Sequence, residues 1–478
     1  MKTNRQKTIH VSRRKFIGIC SVCGGGIMLA PGLSAETFFY PAAGPKLPSR
    51  KAKVRVVYAY PDPAYPIWPN INYDFDSHIK EIKQILTEGC PDIELLSCST
   101  MAGTADEGKR ILTLDNDVDG YVIYLAGCLW GDLTETLAST GKPTIIADHL
   151  FAGTGEFLTS YSAVKRMGFP VLAVSSSDPK DLIDAVNCFK CIGMLKDSTV
   201  LVVGGDADAS IENVYGTKVI KVPFDEINKI YKKIKTGDAD EVADRWIREA
   251  EKVIEPSKEE IVKSATIYLA MLELLEKYDA QAITINCLGG IYSGEMVEAY
   301  PCLGFMQLDN NGLVGACEAD QRSTMTKLLM TYLAGRPGFI SDPVIDTSKN
   351  QIIYAHCMAS NKMFGPDGPS NPYHIRDHSE DRKGACDRSL FPLGEMTTTV
   401  QFDHWKKQII FHQGISVENV DEDKACRTKL AVEVKGDINK LLTFWDQWSW
   451  HRVTFFGDLK KEVYNIAALI GFEVVEEA

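Results

Sequence analysis

Past its amino-terminal segment, this chain of 478 residues has no apolar run long enough to span a bilayer, so its body is expected to be water-soluble. It also lacks a basic surplus: 64 acidic residues outnumber 52 lysines and arginines, for a formal charge of -12. An acidic surface repels phosphate backbones, which argues against nucleic acid as a partner. Cysteine is present, at 13 residues, but without a repeating spacing, so no disulfide framework is read from it. A nucleotide fingerprint is incomplete too. Gly153-Thr154-Gly155-Glu156 has no third glycine and reads as a helix-opening turn whose amides could hold an anion.

The first 35 residues contain no acid at all. Arg5, Lys7, Arg13, Arg14 and Lys15 precede an apolar stretch over residues 16–30, and Pro31, Gly32 and Ala35 follow it. This is the layout of a processing segment rather than of a fold. Ser12-Arg13-Arg14-Lys15-Phe16-Ile17 resembles the twin-arginine export signal, read by machinery that moves folded proteins. Neither Cys20 nor Cys23 follows the small residue a lipid-attachment site needs. The expectation is therefore export to the periplasm or beyond, with residues 1–35 cleaved or kept as a weak anchor. Losing the six cations of that segment takes the formal charge to about -18. Scattered thiols in an exported chain fit folding in a reducing compartment before transport.

Residues 49–172 alternate short apolar strands (54–60, 93–97, 121–126, 144–147) with helices (75–86, 133–137). That pattern predicts a parallel sheet covered on both faces, with Tyr60, Gly127, Asp148 and His149 at ligand-bearing strand ends. A second α/β unit, residues 173–342, has strands at 171–175, 199–203, 218–222 and 282–286. Its helices run over 224–234, 239–253 and 259–275, the last behind a Ser257 cap. Cys188 and Cys191 lie within a helix at 181–194, where two buried small residues are favoured over a redox pair. From 343 to 478 the texture becomes alternating strands (351–354, 395–402, 408–412, 430–434) and turns, then a helix over 459–469, as in an antiparallel barrel. The fold class expected is two doubly wound α/β domains followed by a carboxyl-terminal β-barrel.

The chemistry concentrates in residues 315–358. A helix there carries Met325, Leu328, Leu329, Tyr332 and Leu333 at helical spacing, with Ser323 and Thr324 able to cap its start and Gly335 and Pro337 its stop. Glu318 lies just before it. Asp342 is expected to end the strand that follows, because Pro343 cannot donate to a ladder. The strand over 351–355 then delivers His356. Two carboxylates and an imidazole at element ends suit a divalent ion of borderline hardness, such as manganese, better than calcium. Asn286 and Cys287 end a neighbouring strand, and Cys302, with no base near it in sequence, reads as packing. The charged stretch 373–384 is either a binding lid or a solvated insertion. Trp445, Trp448 and Trp450 surround His451, as core or as an apolar wall for the carbon face of a sugar.

Asn286-Cys287, Pro301-Cys302-Leu303-Gly304, Cys317-Glu318-Ala319-Asp320, Leu333-Ala334-Gly335-Arg336-Pro337, Ser341-Asp342, Ala355-His356-Cys357, Trp450-His451-Arg452 and Gly457-Asp458 together resemble the L-fucose isomerase-like family. The likeness in element order runs over about residues 53–475. It implies two α/β domains and a barrel, closed homo-oligomers, and a Mn2+ ion held by Glu318, Asp342 and His451, with His356 as a supporting or alternative ligand. It also implies aldose–ketose isomerisation through an ene-diol, Glu318 and Asp342 being the carboxylates that handle the proton. Arg376, Asp377, His378 and Arg382 become candidates for sugar hydroxyls, and Trp448 and Trp450 for stacking. An export signal is foreign to sugar isomerases working in the cytoplasm. The substrate therefore stays open, and an epimerase or lyase acting on a modified sugar is an alternative. A non-catalytic exported sugar-binding protein is the reading from another class; it needs neither the barrel nor the triad.

Overall fold

The computed structural model describes residues 45–115 and 117–478. The export-signal reading therefore lies outside the described residues, in which no helix is long and apolar enough to cross a membrane.

Five short strands, all but the half-polar second mainly apolar, open the body: β1 (Ala52–Ala59), β2 (Ile93–Thr100), β3 (Gly120–Leu125), β4 (Thr144–Asp148) and β5 (Val171–Val174). They form one parallel sheet in the order β2-β1-β3-β4-β5. Apolar residues on both faces of these strands are what a sheet buried on both sides requires, and helices cover both. Residues 171–175, expected in the second unit, instead provide the edge strand of this first sheet by pairing with β4.

Next come β6 (Thr199–Val203), β7 (Lys218–Val222), β8 (Lys252–Val253), β9 (Ala282–Ile285) and β10 (Val314–Cys317). Four of them make a second parallel sheet, ordered β10-β9-β6-β7, so β10 is an edge. The helix Gln321–Ala334 follows β10 directly. It is buried on nearly every side between the second sheet, the helix Pro179–Lys196 and the carboxyl-terminal strands. One polar contact fixes it: Lys327 Nζ, fully enclosed, donates to Asp309 Oδ2 at 2.6 Å and to the Gly315 carbonyl at 2.5 Å.

The remaining strands are β11 (Phe339–Asp346), β12 (Gln351–His356), β13 (Tyr373–Arg376), β14 (Cys386–Ser389), β15 (Met396–Asp403), β16 (Gln408–Asn419), β17 (Thr428–Lys435), β18 (Arg452–Phe456) and β19 (Glu473–Glu476). Antiparallel pairings run β15-β18-β11-β12-β17-β16 and close from β16 back to β15, a six-stranded barrel. The expected architecture of parallel α/β sheets followed by an antiparallel barrel is thus present. β11 does not stop at Asp342 as Pro343 suggested. Its pairing with β18 ends at Ser341, while its pairing with β12 continues through Pro343 to Asp346. Proline is tolerated because one edge of the strand has by then become free.

The charged segment 373–384 is no free-standing insertion: it buries Asp377 and His378 and leaves Arg382 and Lys383 in solvent. β13 and β14 form a hairpin that pairs with β8, and its loop is drawn inward. Buried Arg427 pairs with Asp377, and Arg376 pairs with Glu255 at 2.6 Å.

Candidate metal centre

The register of three adjacent barrel strands assembles most of the site. Ser341 of β11 faces Arg452 of β18, and Asp342 faces Ala355 of β12. Asp342 is therefore flanked on one side by His451, just before β18, and on the other by His356, the last residue of β12. Glu318 arrives from the second sheet, immediately after its edge strand β10. Residues 318 to 320 turn sharply: Glu318 and Ala319 both have left-handed backbones, with φ of 63° and 51°. Each such non-glycine residue costs of order 1–3 kcal/mol and persists only where its surroundings impose it. Here the Ala319 amide donates to the Ile285 carbonyl at 3.1 Å and the Asp320 amide to the Cys317 carbonyl at 3.2 Å. Gly205 makes room for the turn; a Cβ on it would stand 2.9 Å from that of Ala319.

His451 is the centre of the cluster. Its Nδ1 lies 2.9 Å from Asp320 Oδ2, its Nε2 3.2 Å from Asp342 Oδ1 and 3.6 Å from Glu318 Oε2. His356 Nε2 is 3.8 Å from Glu318 Oε1, and the two imidazoles meet edge to face at 5.5 Å. Trp450 Nε1 donates to Asp342 Oδ1 at 2.5 Å. Both imidazoles are buried, yet Nε2 of each lacks a hydrogen bond. Unpartnered nitrogens at this depth are rare without a ligand to face.

The electrostatics point the same way. Burial alone would lower His451, but its hydrogen bond to Asp320, the close approach of Asp342 and the charge of Glu318 override it and push it up to about 10. Burial raises Glu318, whereas Asp342 is held below its ordinary value, against burial, by His451 and His356. Three carboxylates converging on two imidazoles make a site that asks for positive charge. Glu318, His356 and His451 offer ligand atoms within 4.8 Å of one another, and Asp342 adjoins them. Their oxygen and imidazole donors fit a borderline divalent ion. Asp320 completes the arrangement by fixing the His451 ring, as a carboxylate behind a metal-binding histidine does.

Other predicted residues are placed as follows. His378 is buried and lines the same cleft with Glu318, Asp342, His356, Tyr300 and Glu380. Trp450 stands exposed beside Asp342, whereas Trp448 packs away from the cleft and donates to Gln408 at 2.8 Å. Arg376, Asp377 and Arg382 enter an ion-pair cluster with Glu255, Asp423 and Arg427 instead of the cleft. Asp320 was given no role from sequence, although Asp320-Gln321-Arg322-Ser323 carries the spacing of a helix cap. It is the cap, in place of the expected Ser323 or Thr324: its Oδ1 accepts from the Ser323 amide at 3.1 Å. Also missed were the thiols around the cleft: Cys287, Cys302, Cys317, Cys357 and Cys426 all line it. Hydrogen bonds from Cys302 and Cys317 hold the Cys357 thiol well below its ordinary range.

No family model matches the chain. Among curated proteins it is similar to sulfoquinovose isomerase of Priestia aryabhattai, 20% identical over 239 residues, covering 48% of this chain and 52% of that protein. Sulfoquinovose isomerase of Clostridium sp. (strain MSTE9) is 24% identical over 215 residues, covering 43% and 47%. The chain thus spans about half the length of the curated relatives it matches. A solved chain titled XylFII molecule aligns with a TM-score of 0.16 at 12% identity, over 52% of this chain and 85% of that one, too weak a likeness to bear on the fold. Over those stretches its likeness is to sulfoquinovose isomerases, at 20–24% identity.

Proposed function

We propose that the protein is a metal-dependent sugar isomerase that interconverts an aldose and a ketose. The observation that carries this is the convergence of Glu318, Asp342 and His451, drawn from a sheet edge and two barrel strands, with His451 Nε2 left open toward both carboxylates. Distant similarity to sulfoquinovose isomerases supports the reaction class.

Asp342, His451 and Glu318 would hold the ion, Mn2+ being the first to test, with His356 behind Glu318. Such an ion supplies Lewis-acid polarisation of the sugar carbonyl. The protein's part is to move one proton from C2 to C1 of the open-chain sugar. Glu318, raised by burial yet half exposed at the cleft mouth, is suited to take and return that proton. Asp342 is pinned by Trp450 and His451 and stays ionised, a positioning charge. Trp450 offers its exposed ring as the wall on which the carbon face of a sugar can lie. Export through the twin-arginine machinery and assembly into a homo-oligomer belong to the same proposal.

The test combines elemental analysis of protein purified without chelators with isomerisation assays on sulfoquinovose and unmodified aldoses, for the parent and a Glu318→Gln/Asp342→Asn double variant. About one hard ion per chain, with turnover, both lost in the variant, is the expected result. Unchanged sugar affinity in the variant, with neither ion nor turnover in the parent, would leave a binding protein built on an enzyme's fold. Ion-dependent loss or inversion of a substituent without ketose formation would move the assignment to a lyase or epimerase.

A further inference from the structure

Behind the carboxylates the cleft changes character. Cys317 ends β10, Cys357 follows β12, Cys302 opens the helix Cys302–Asn310, and Cys287 opens the helix Cys287–Ser293. Four separate elements bring four buried thiols to one point. Cys357 Sγ is 3.7 Å from Cys302 Sγ, 3.9 Å from Cys317 Sγ and 3.5 Å from His356 Nδ1. One buried thiol is ordinary packing. Here the ligand atoms of Cys317, Cys357 and His356 all lie within 4.8 Å of one another.

The distances have a chemical meaning. Zinc binds thiolate sulfur at about 2.3 Å and imidazole nitrogen at about 2.0–2.1 Å; in a tetrahedron this sets S···S edges near 3.8 Å and S···N edges near 3.6 Å. The three separations around Cys357 match those edges. We propose that Cys317, Cys357 and Nδ1 of His356 form a second metal site, for a soft ion such as Zn2+, distinct from the carboxylate site. The assignment does not depend on the reaction catalysed.

The two sites meet in one imidazole. With Nδ1 committed to the soft ion, a neutral His356 carries its proton on Nε2, the atom that faces Glu318 Oε1 at 3.8 Å. Held by the hard ion through Nε2, His451 would take the opposite tautomer, with its Nδ1 proton toward Asp320 2.9 Å away. His356 thus supports Glu318 while His451 serves as the ligand, which assigns different work to two histidines that otherwise compete for one role. All four thiols being enclosed, the soft ion enters as the chain folds.

The experiment is expression of the full chain in medium containing Co2+, followed by metal counting and electronic absorption. The parent is expected to hold two ions per chain and to show a thiolate-to-cobalt charge-transfer band. A Cys317→Ser/Cys357→Ser double variant should keep one ion and lose the band; Glu318→Gln/Asp342→Asn should lose the other ion and keep it. Because the thiol variant could fail to fold, zinc-edge X-ray absorption on the unaltered protein from zinc-replete medium gives an independent reading. Sulfur neighbours at about 2.3 Å are expected. A shell of oxygen and nitrogen alone, no band in the cobalt-grown parent, the same ion count and band in the thiol variant, or a disulfide joining Cys357 to Cys302 or Cys317 in the isolated protein would each overturn the proposal.

Discussion

Two pockets lie at carboxyl ends of parallel strands, one on each sheet, and they treat histidine in opposite ways. Beyond β3 and β4 of the first sheet, His78 and His149 stack at 3.8 Å in a cavity of about 290 Å³. His78 Nε2 meets the Tyr124 hydroxyl at 2.8 Å, and His149 Nδ1 meets the Ala126 carbonyl at 3.1 Å. Burial, aided by His149, pulls His78 down to about 4. Beyond β10 of the second sheet, His451 is buried more deeply and yet rises to about 10, because three carboxylates surround it. The same side chain is stripped of its proton in one pocket and made to hold it in the other. Position at a strand end makes a cleft; the charged partners decide whether it can do chemistry.

The sharpest way to break this comparison is to remove charge from the second pocket. Asp342→Asn is expected to lower kcat by about 10³-fold or more, as loss of a preorganised charge does, with circular dichroism unchanged. An effect below tenfold would place the reacting carbons elsewhere. Asp320→Asn probes the charge behind the ring. Asparagine still caps the helix, so the fold should hold while affinity for Mn2+, measured by titration calorimetry, drops about 10- to 100-fold.

Acid offers a test of the frame that holds His451. The neighbouring Arg452 is enclosed with Glu477, 2.9 Å away, and His412 joins the same carboxylate. Against burial, Arg452 and the His412 contact bring Glu477 from 4.5 down to about 2. A depressed carboxylate stabilises the native state above its unfolded pKa, and that contribution is lost as protons return on acidification. Unfolding free energy should therefore fall by a few kcal/mol between about pH 4.5 and pH 2, and Glu477→Gln should flatten that slope in urea titrations. The smallest effect is expected in the first pocket: His149→Ala should alter kcat by less than twofold, and a large loss would make that pocket part of the active site.

Much of this was legible in the chain. The nearly unbroken apolar run at residues 199–203 marked its strand to the residue, because a strand buried on both faces leaves little room for another period. Glu318 and Asp342 were readable because each adjoins a well-marked element. What stayed hidden depends on register and on distant pairing. Nothing local says that Ser341 lies opposite Arg452, so the place of His451 beside Asp342 rested on resemblance alone. Arg376 and Arg382 look available as a sequence, but Glu255 and Asp423, remote in the chain, had already claimed them. Cys302 was read as packing and Cys287 as the end of a strand, and nothing joined them to Cys317 and Cys357, since four cysteines from four elements share no spacing.

Asp320 spends both its oxygens at once: Oδ1 on the Ser323 amide, Oδ2 on the Ser323 hydroxyl and on His451. The first turn of a central helix and the orientation of an imidazole 131 residues away therefore rise and fall together. Whenever that turn frays, the ring loses its anchor. Hydrogen exchange at the Ser323 amide accordingly becomes a clock for the site: the rate at which this one backbone group opens to solvent sets a lower bound on how often the pocket lets go of its geometry.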